Sequence, residues 1–247
     1  MVPIAVQLYS VRDEAARDLF GTLEKVAAMG YKGVEFAGYH GHSAADIRAK
    51  LHELGLKCEG THTGIDLLSD DKIEQTIADH KTLGTEWVII PWLPGEKRNT
   101  PAAAKATADE LTALTEKLRA EGLRLGFHAH SDDMHALESD DSAYYILGKN
   151  TPKDFILQYD TSNGMEGGAD PVQPIVDFPN RNASVHLKET GGNVIGQGEV
   201  PWERVFEAAE NGGGVEWYVV EHESGQGTEA LDAVAACLEA LKGMGKA

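Results

Sequence analysis

The sequence is poor in cysteine, in basic side chains and in long apolar runs, and each shortage excludes something. Its two cysteines, Cys58 and Cys237, lie far apart and in no metal-like or redox-like spacing. A disulfide framework is therefore not expected. Two small buried thiols in a reducing compartment are, which sets the expectation of a cytoplasmic protein. No stretch approaches the roughly 18–20 apolar residues that span a bilayer. The first ten residues, Met1 to Ser10, carry no basic leader and soon turn polar, so they read as a first strand rather than a signal peptide. Lys plus Arg number 22 against 40 Asp plus Glu, a formal net charge of −18. Such a surface repels phosphate backbones and anionic lipid, so neither nucleic acid nor a membrane is an expected partner. It favours a cation in any concave site lined by carboxylates. A glycine-rich dinucleotide fingerprint after a strand is also lacking, which argues against a nicotinamide oxidoreductase.

What is present is a regular alternation. Hydrophobic residues make up 42% and charged residues 25% of 247, ordinary values for a globular chain long enough to bury a core without staples. Short runs rich in Val, Ile, Leu, Phe and Tyr occur at 4–9, 33–36, 57–62, 87–91, 124–128, 155–160, 183–187 and 217–221, as expected for strands buried on both faces. Between them lie amphipathic helical patterns. Leu19, Leu23, Val26 and Ala27 share one face before Gly30 stops the run, and Ser43 caps the next, which ends at Gly55. Segments 70–83, 101–121, 201–211 and 228–242 repeat the device, with Pro101 and Pro201 at helix starts. Shorter helices are expected at 141–149 and 171–178. Eight β-then-α units predict a parallel sheet closed into a (β/α)₈ barrel, one domain over 1–247.

The informative feature is where polar residues fall. The C-terminal ends of the expected strands carry Gln7 and Tyr9, Glu35, His62, Trp92, His128 and His130, Gln158 and Asp160, His186 and Lys188, and Glu221 and Glu223. In a barrel these ends converge on one mouth, where barrel active sites are built. A single histidine or carboxylate at a strand end is more often a capping or packing residue, but seven strands of eight ending this way are not explained by capping alone. Mixed carboxylates and imidazoles suit a divalent ion, Mn²⁺ first and then Co²⁺, Mg²⁺ or Zn²⁺. An ion with open positions clamps a hydroxy-carbonyl unit, and a flanking carboxylate removes the neighbouring carbon-bound proton.

At this point the motifs resemble a known family. The segments Val6 to Arg12 (VQLYSVR), Met29 to Phe36 (MGYKGVEF), Gly126 to His130 (GFHAH), Asp160 to Asn163 (DTSN), His186 to Glu189 (HLKE) and Ile195 to Trp202 (IGQGEVPW), followed by Val219 to Glu221, resemble in order and spacing the sugar phosphate isomerase/epimerase superfamily of xylose-isomerase-like barrels. The resemblance runs from Ile4 to about Leu241. It implies a metal-dependent enzyme acting on a small sugar or polyol. By position Asp160, His186 and Glu221 carry over as metal ligands. The family's fifth-strand Glu does not, because His128 occupies its slot, and the fourth ligand is then His128 itself or Asp133 reaching back from the loop. Glu221 is the expected base and His128 the partner in proton transfer, while Glu35, His62, His130 and Lys188 are expected substrate contacts. This asymmetric pair suits isomerisation, or elimination from a keto-sugar or keto-inositol, as well as epimerisation. A DNA-repair nuclease of the same fold is disfavoured by the acidic surface and by Asn163, where that branch has His. A non-catalytic sugar-binding barrel stays open because the fifth-strand Glu is lost. An apolar helix face leaves room for a homo-oligomer.

Overall fold

The computed structural model describes residues 1–138, 141–224 and 227–247. Eight strands, β1 (Ile4–Gln7), β2 (Gly33–Phe36), β3 (Lys57–His62), β4 (Trp87–Ile90), β5 (Arg124–His128), β6 (Ile156–Asp160), β7 (Ser184–Leu187) and β8 (Trp217–Val220), pair in chain order, and β8 returns to β1. Every pairing is parallel, so the sheet is the closed (β/α)₈ barrel that the alternation predicts. Among the described residues no helix is long and apolar enough to cross a membrane.

Local chemistry sets the element boundaries. Leu19–Met29 is capped by Asp18, whose Oδ1 accepts the Gly21 N–H at 3.0 Å, and it ends at Gly30 with φ 106°. Ala44–Leu54 starts on Ser43 and Pro101–Ala120 on Thr100, each side chain accepting a first-turn N–H. The first strand is shorter than the apolar run, because Gln7 Oε1 accepts the Tyr9 N–H at 2.9 Å and turns the chain into the 3₁₀ segment Leu8–Val11. The expected helix at 201–211 runs as Trp202–Ala208 and then widens into a π turn, Ala209–Gly213. There the Gly212 and Gly213 carbonyls accept N–H groups of Asn180 and Asn182.

Two apolar layers follow from the strand alternation. Val6, Val34, Val88, Leu125, Leu157, Val185 and Val220 join the large cluster with helix residues such as Leu23, Ile47, Leu111 and Leu238. Trp87, Ile89, Ile156 and Ala183, with Trp217 against them, form a separate small cluster. Gly126 belongs to this tight layer: a Cβ there would stand 2.7 Å from both Ile156 Cβ and Ile89 Cδ1. Above that apolar plug the polar strand ends gather.

One irregularity matters for the site. Val34 pairs with Cys58 but Glu35 with Gly60, so Glu59 is an extra residue in β3. The bulge resets the alternation. Thr61 Oγ1 bonds His80 Nε2 at 2.7 Å, while His62 meets Gln158 of β6.

Candidate metal and active site

Parallel register brings the strand ends level. Glu35 pairs with Gln7, His128 with Gln158, and Asp160 with His186. Glu221 lies one residue past β8, with its N–H on the Leu187 carbonyl. His128, Asp160, His186 and Glu221 each offer one ligand atom, all within 4.8 Å of one another, and all four side chains are buried. His186 Nδ1 lies 2.6 Å from Glu221 Oε2 and 3.9 Å from Asp160 Oδ2, and His128 Nε2 lies 3.9 Å from Glu221 Oε2. Asp160 uses its Oδ1 as the cap of Thr161–Glu166, accepting the Asn163 N–H at 2.7 Å. Its Oδ2 is buried with no partner. An orphaned buried carboxylate oxygen is costly unless a cation or proton meets it, which makes the cluster fit a divalent ion.

Asp133, the other candidate for fourth ligand, stands outside this group. Its Oδ2 accepts the His130 N–H at 2.8 Å, closing a capping box on Ser131–Met134, and its Oδ1 lies 3.4 Å from Arg98 Nε. Burial pushes its carboxyl up to about 6.

Beneath the cluster, Glu35 is fully buried and is not a surface for substrate. Its Oε2 accepts from His186 Nε2 at 2.7 Å and from Gln7 Nε2 at 2.8 Å, and its Oε1 accepts from Gln158 Nε2 at 2.8 Å. His186 thus lies between two carboxylates, Glu35 and Glu221. Burial lowers its pKa, but Glu35 and Glu221 overcome that and raise it well above the usual imidazole range. Burial would raise Glu221, yet the hydrogen bond and charge of His186, with the charge of Lys188, hold it well below the usual range. His128 is driven well down by burial first and then by His186, so its ring is neutral. Burial pushes Asp160 up to about 7 against the pull of Lys188.

His62, His128 and His186 form a second group of close ligand atoms. The hydrogen bonds disfavour it as a cation site. His62 Nε2 faces Gln158 at 3.0 Å and His186 Nε2 faces Glu35, and the rings of His62 and His186 are stacked at an interplanar angle of 9°.

A cavity of about 370 Å³ opens over the ends of β5 to β8, lined by His130, Asn163, Glu166, Lys188, Glu221 and Glu223 among others. Of the four cluster residues, Glu221 is the one that lines it. Lys188 Nζ donates to Asn163 Oδ1 at 3.2 Å and pairs with Glu223. Burial would lower its pKa, but Asp160, Glu221 and Glu223 raise it, so it stays charged. His62 borders a neighbouring cavity of about 430 Å³ beside Tyr39 and Leu67. Trp92 is 53% exposed. The glycine-rich loop between β7 and the helix Trp202–Ala208 is tied down by Glu189, whose carboxylate accepts N–H groups of Thr190, Gly196, Val200 and the Trp202 indole at 2.8–3.1 Å.

Two buried residues with clear consequences, Gln158 and Glu59, carry no role in the sequence reading. For Gln158 the signal was present, since the pattern Gln158-x-Asp160 on one strand turns both side chains the same way. For Glu59 it was hidden by the bulge.

A family model described as a xylose isomerase-like TIM barrel matches residues 23–243. An inosose dehydratase of Geobacillus kaustophilus (strain HTA426) is 22% identical over 194 residues, covering 70% of this chain and 62% of that protein; the match thus spans less than two thirds of that relative's length. The crystal structure of a sugar phosphate isomerase/epimerase from Parabacteroides distasonis superposes with a TM-score of 0.85 at 25% identity, with 98% of each chain covered. An L-ribulose 3-epimerase shares the fold, with a TM-score of 0.75 at 19% identity over 100% of this chain and 95% of that one. On a match extending over most of its length, from the first long helix to the last, the chain belongs to the family of xylose isomerase-like TIM barrels.

Proposed function

We propose that this protein is a divalent-metal-dependent isomerase or epimerase of a sugar or sugar-like polyol, acting by proton abstraction next to a carbonyl. His128, Asp160, His186 and Glu221 would hold the ion, Mn²⁺ by preference and otherwise Co²⁺, Mg²⁺ or Zn²⁺, since two imidazoles and two carboxylates suit any of these. When bound, the ion supplies Lewis acidity toward adjacent hydroxyl and carbonyl oxygens. The observation that carries the reading is that Glu221 alone of the four lines the cavity, beside a half-buried, charged Lys188. A carboxylate held ionised there is a base that substrate can reach. Lys188 would stabilise negative charge developing on the substrate oxygen, and His130 and, from the second cavity, His62 would bind hydroxyls.

A second reading is elimination from a keto-sugar or keto-inositol, and His128 favours it. Epimerisation by two carboxylates on opposite faces needs an acidic partner for Glu221. The position holds a buried neutral imidazole instead, and Glu35 lies beneath the cluster rather than in the cavity. One base with Lys188 or His130 as proton donor is enough to expel a leaving group.

Both readings are tested by incubating the protein with Mn²⁺ and a panel of ketoses, keto-inositols and 3-keto-glycosides in D₂O. Deuterium is expected at the carbon next to the carbonyl, and chelation should abolish it. Glu221→Gln should slow exchange by about 10²–10⁴-fold. In a parallel incubation in H₂O, a product of unchanged mass identifies the isomerase, and one lighter by water or an alcohol identifies the lyase. Conversion without exchange and without chelator sensitivity would overturn both.

A further inference from the structure

We propose that Gln158 is the positioning residue that sets the tautomer of His128, keeping its proton on Nδ1 and turning the Nε2 lone pair toward Asp160, His186 and Glu221. The inference rests on the proposed metal site only for its consequence; the tautomer itself follows from hydrogen bonds.

Gln158 is fully buried, and both ends of its amide are engaged. Nε2 lies 2.8 Å from Glu35 Oε1 and 2.8 Å from Ser184 Oγ. Oε1 lies 3.0 Å from His62 Nε2 and 3.1 Å from His128 Nδ1. The orientation of the amide is not free. Glu35, an ionised carboxylate clamped by His186 and Gln7, can only accept, so the group facing it must be the Gln158 NH₂. The amide oxygen then faces both imidazoles, and an oxygen demands a donor from each. His62 presents Nε2–H and His128 presents Nδ1–H. An imidazole that gives its Nδ1–H to that oxygen carries its lone pair on Nε2. That atom is the one 3.9 Å from Glu221 Oε2.

The fifth strand's imidazole can thus stand in for a carboxylate ligand only because a neighbouring strand supplies an obligate acceptor. With the opposite tautomer, Nε2–H would point a proton into the cluster and exclude a cation from that corner. Partners that fix the far nitrogen of a ligating histidine typically matter by about 10–100-fold in metal affinity.

The test is long-range ¹H–¹⁵N correlation of the imidazoles in ¹⁵N-histidine-labelled protein, with His128 assigned by its loss in His128→Asn. In the unsubstituted protein the His128 Nδ1 should resonate as a protonated nitrogen and Nε2 as a bare one. Finding Nε2 protonated there overturns the proposal, whether or not any variant folds. Gln158→Leu, which removes the acceptor, should change the His128 pattern, and Zn²⁺ affinity should fall by about 10–100-fold. A purely structural role for Gln158 would lower Tm and leave the tautomer as it was, and a folded variant with unaltered His128 resonances would also overturn the proposal. Zn²⁺ titration separates the two claims. If Zn²⁺ leaves the His128 Nε2 resonance unmoved while the tautomer is as stated, the ligand reading fails and the role of Gln158 stands.

Discussion

His128 and Asp133 compete for one role at the scale of single residues, and hydrogen bonds separate them. Asp133 spends one oxygen on the His130 backbone and sets the other against Arg98, whereas His128 is one of four residues whose ligand atoms converge. His128→Ala should therefore weaken Mn²⁺ binding by an order of magnitude or more. Asp133→Ala should cost stability through the lost cap, about 0.5–2 kcal/mol, and leave Mn²⁺ affinity within a few-fold. Calorimetric titration with Mn²⁺ reads both, and a reversed order returns Asp133 to the site. Glu59 gives a second prediction. Its carboxyl is 4% exposed with neither oxygen partnered, and burial followed by the charge of Glu35 raises its pKa well above the usual range. The folded state then binds a proton that the unfolded state has lost, so this group's contribution to stability is complete below the unfolded pKa and declines as pH rises toward the folded one. Glu59→Gln removes that slope, and near pH 8 the variant should be more stable than the parent by about 1–3 kcal/mol. Urea unfolding at pH 5 and pH 8 checks it, and parallel pH profiles for the two proteins would refute it. Most of the site residues were legible in the sequence because each stands at the end of an apolar run. Glu59 was not, because a bulge is a relation between two strands and leaves no mark on either one alone.

The loop from Glu189 to Trp202 shows what one buried carboxylate does for an element. Its glycines suggest mobility or a phosphate clamp when read as sequence. In the structure the N–H groups of Thr190, Gly196 and Val200 and the Trp202 indole already hold an anion, the Glu189 side chain. Burial would raise its pKa, but those donors outweigh it and hold the carboxyl below the usual range. Stability from this group is therefore present above the unfolded pKa and lost as pH falls through the folded one. Glu189→Ala strands several donors at once and should destabilise by about 2–4 kcal/mol, with the loop becoming more susceptible to proteolysis. Thermal unfolding and limited proteolysis test this together, and a variant with the parent's Tm and an equally resistant loop would show that the anchor is idle. Element existence was readable from periodicity throughout. Element ends were not, wherever a side chain redirected the backbone, as Gln7 does after β1, or where a carbonyl was taken by another loop, as at Gly212 and Gly213. The short helices Ser131–Met134 and Thr161–Glu166 were missed for the same reason, since each is nucleated by a capping carboxylate rather than by an apolar face.

Across the whole molecule, the closed barrel brings the ends of β5 to β8 into one cluster, so a cation bound there should stabilise all of it. Both ring nitrogens of His186 face carboxylate oxygens, Nε2 toward Glu35 and Nδ1 toward Glu221, and the ring is an imidazolium in that arrangement. A divalent ion at Nδ1 takes the place of one proton, while Glu35 keeps the other and fixes the ring. Metal binding should thus release a proton from His186. Its affinity should rise by about tenfold, or 1.4 kcal/mol, per pH unit while the imidazolium persists without metal. At a free Mn²⁺ concentration near 100 times Kd, linkage adds about 2.7 kcal/mol to folding. For a chain of this size that is roughly a 5–11 °C rise in Tm. The formal charge of −18 works in the same direction at low salt, because it concentrates cations around the protein, and added salt should trim that part of the effect. Thermal scans with Mn²⁺ and with chelator, at pH 6 and pH 8, measure the whole set. The expected result is a chelator-reversible gain that is larger at pH 8 and absent in Asp160→Ala. A gain of equal size at both pH values would mean that neither His186 nor Asp160, whose carboxyl burial pushes up to about 7, gives up a proton. A gain that survives Asp160→Ala would place the ion on the acidic surface instead of at the barrel mouth.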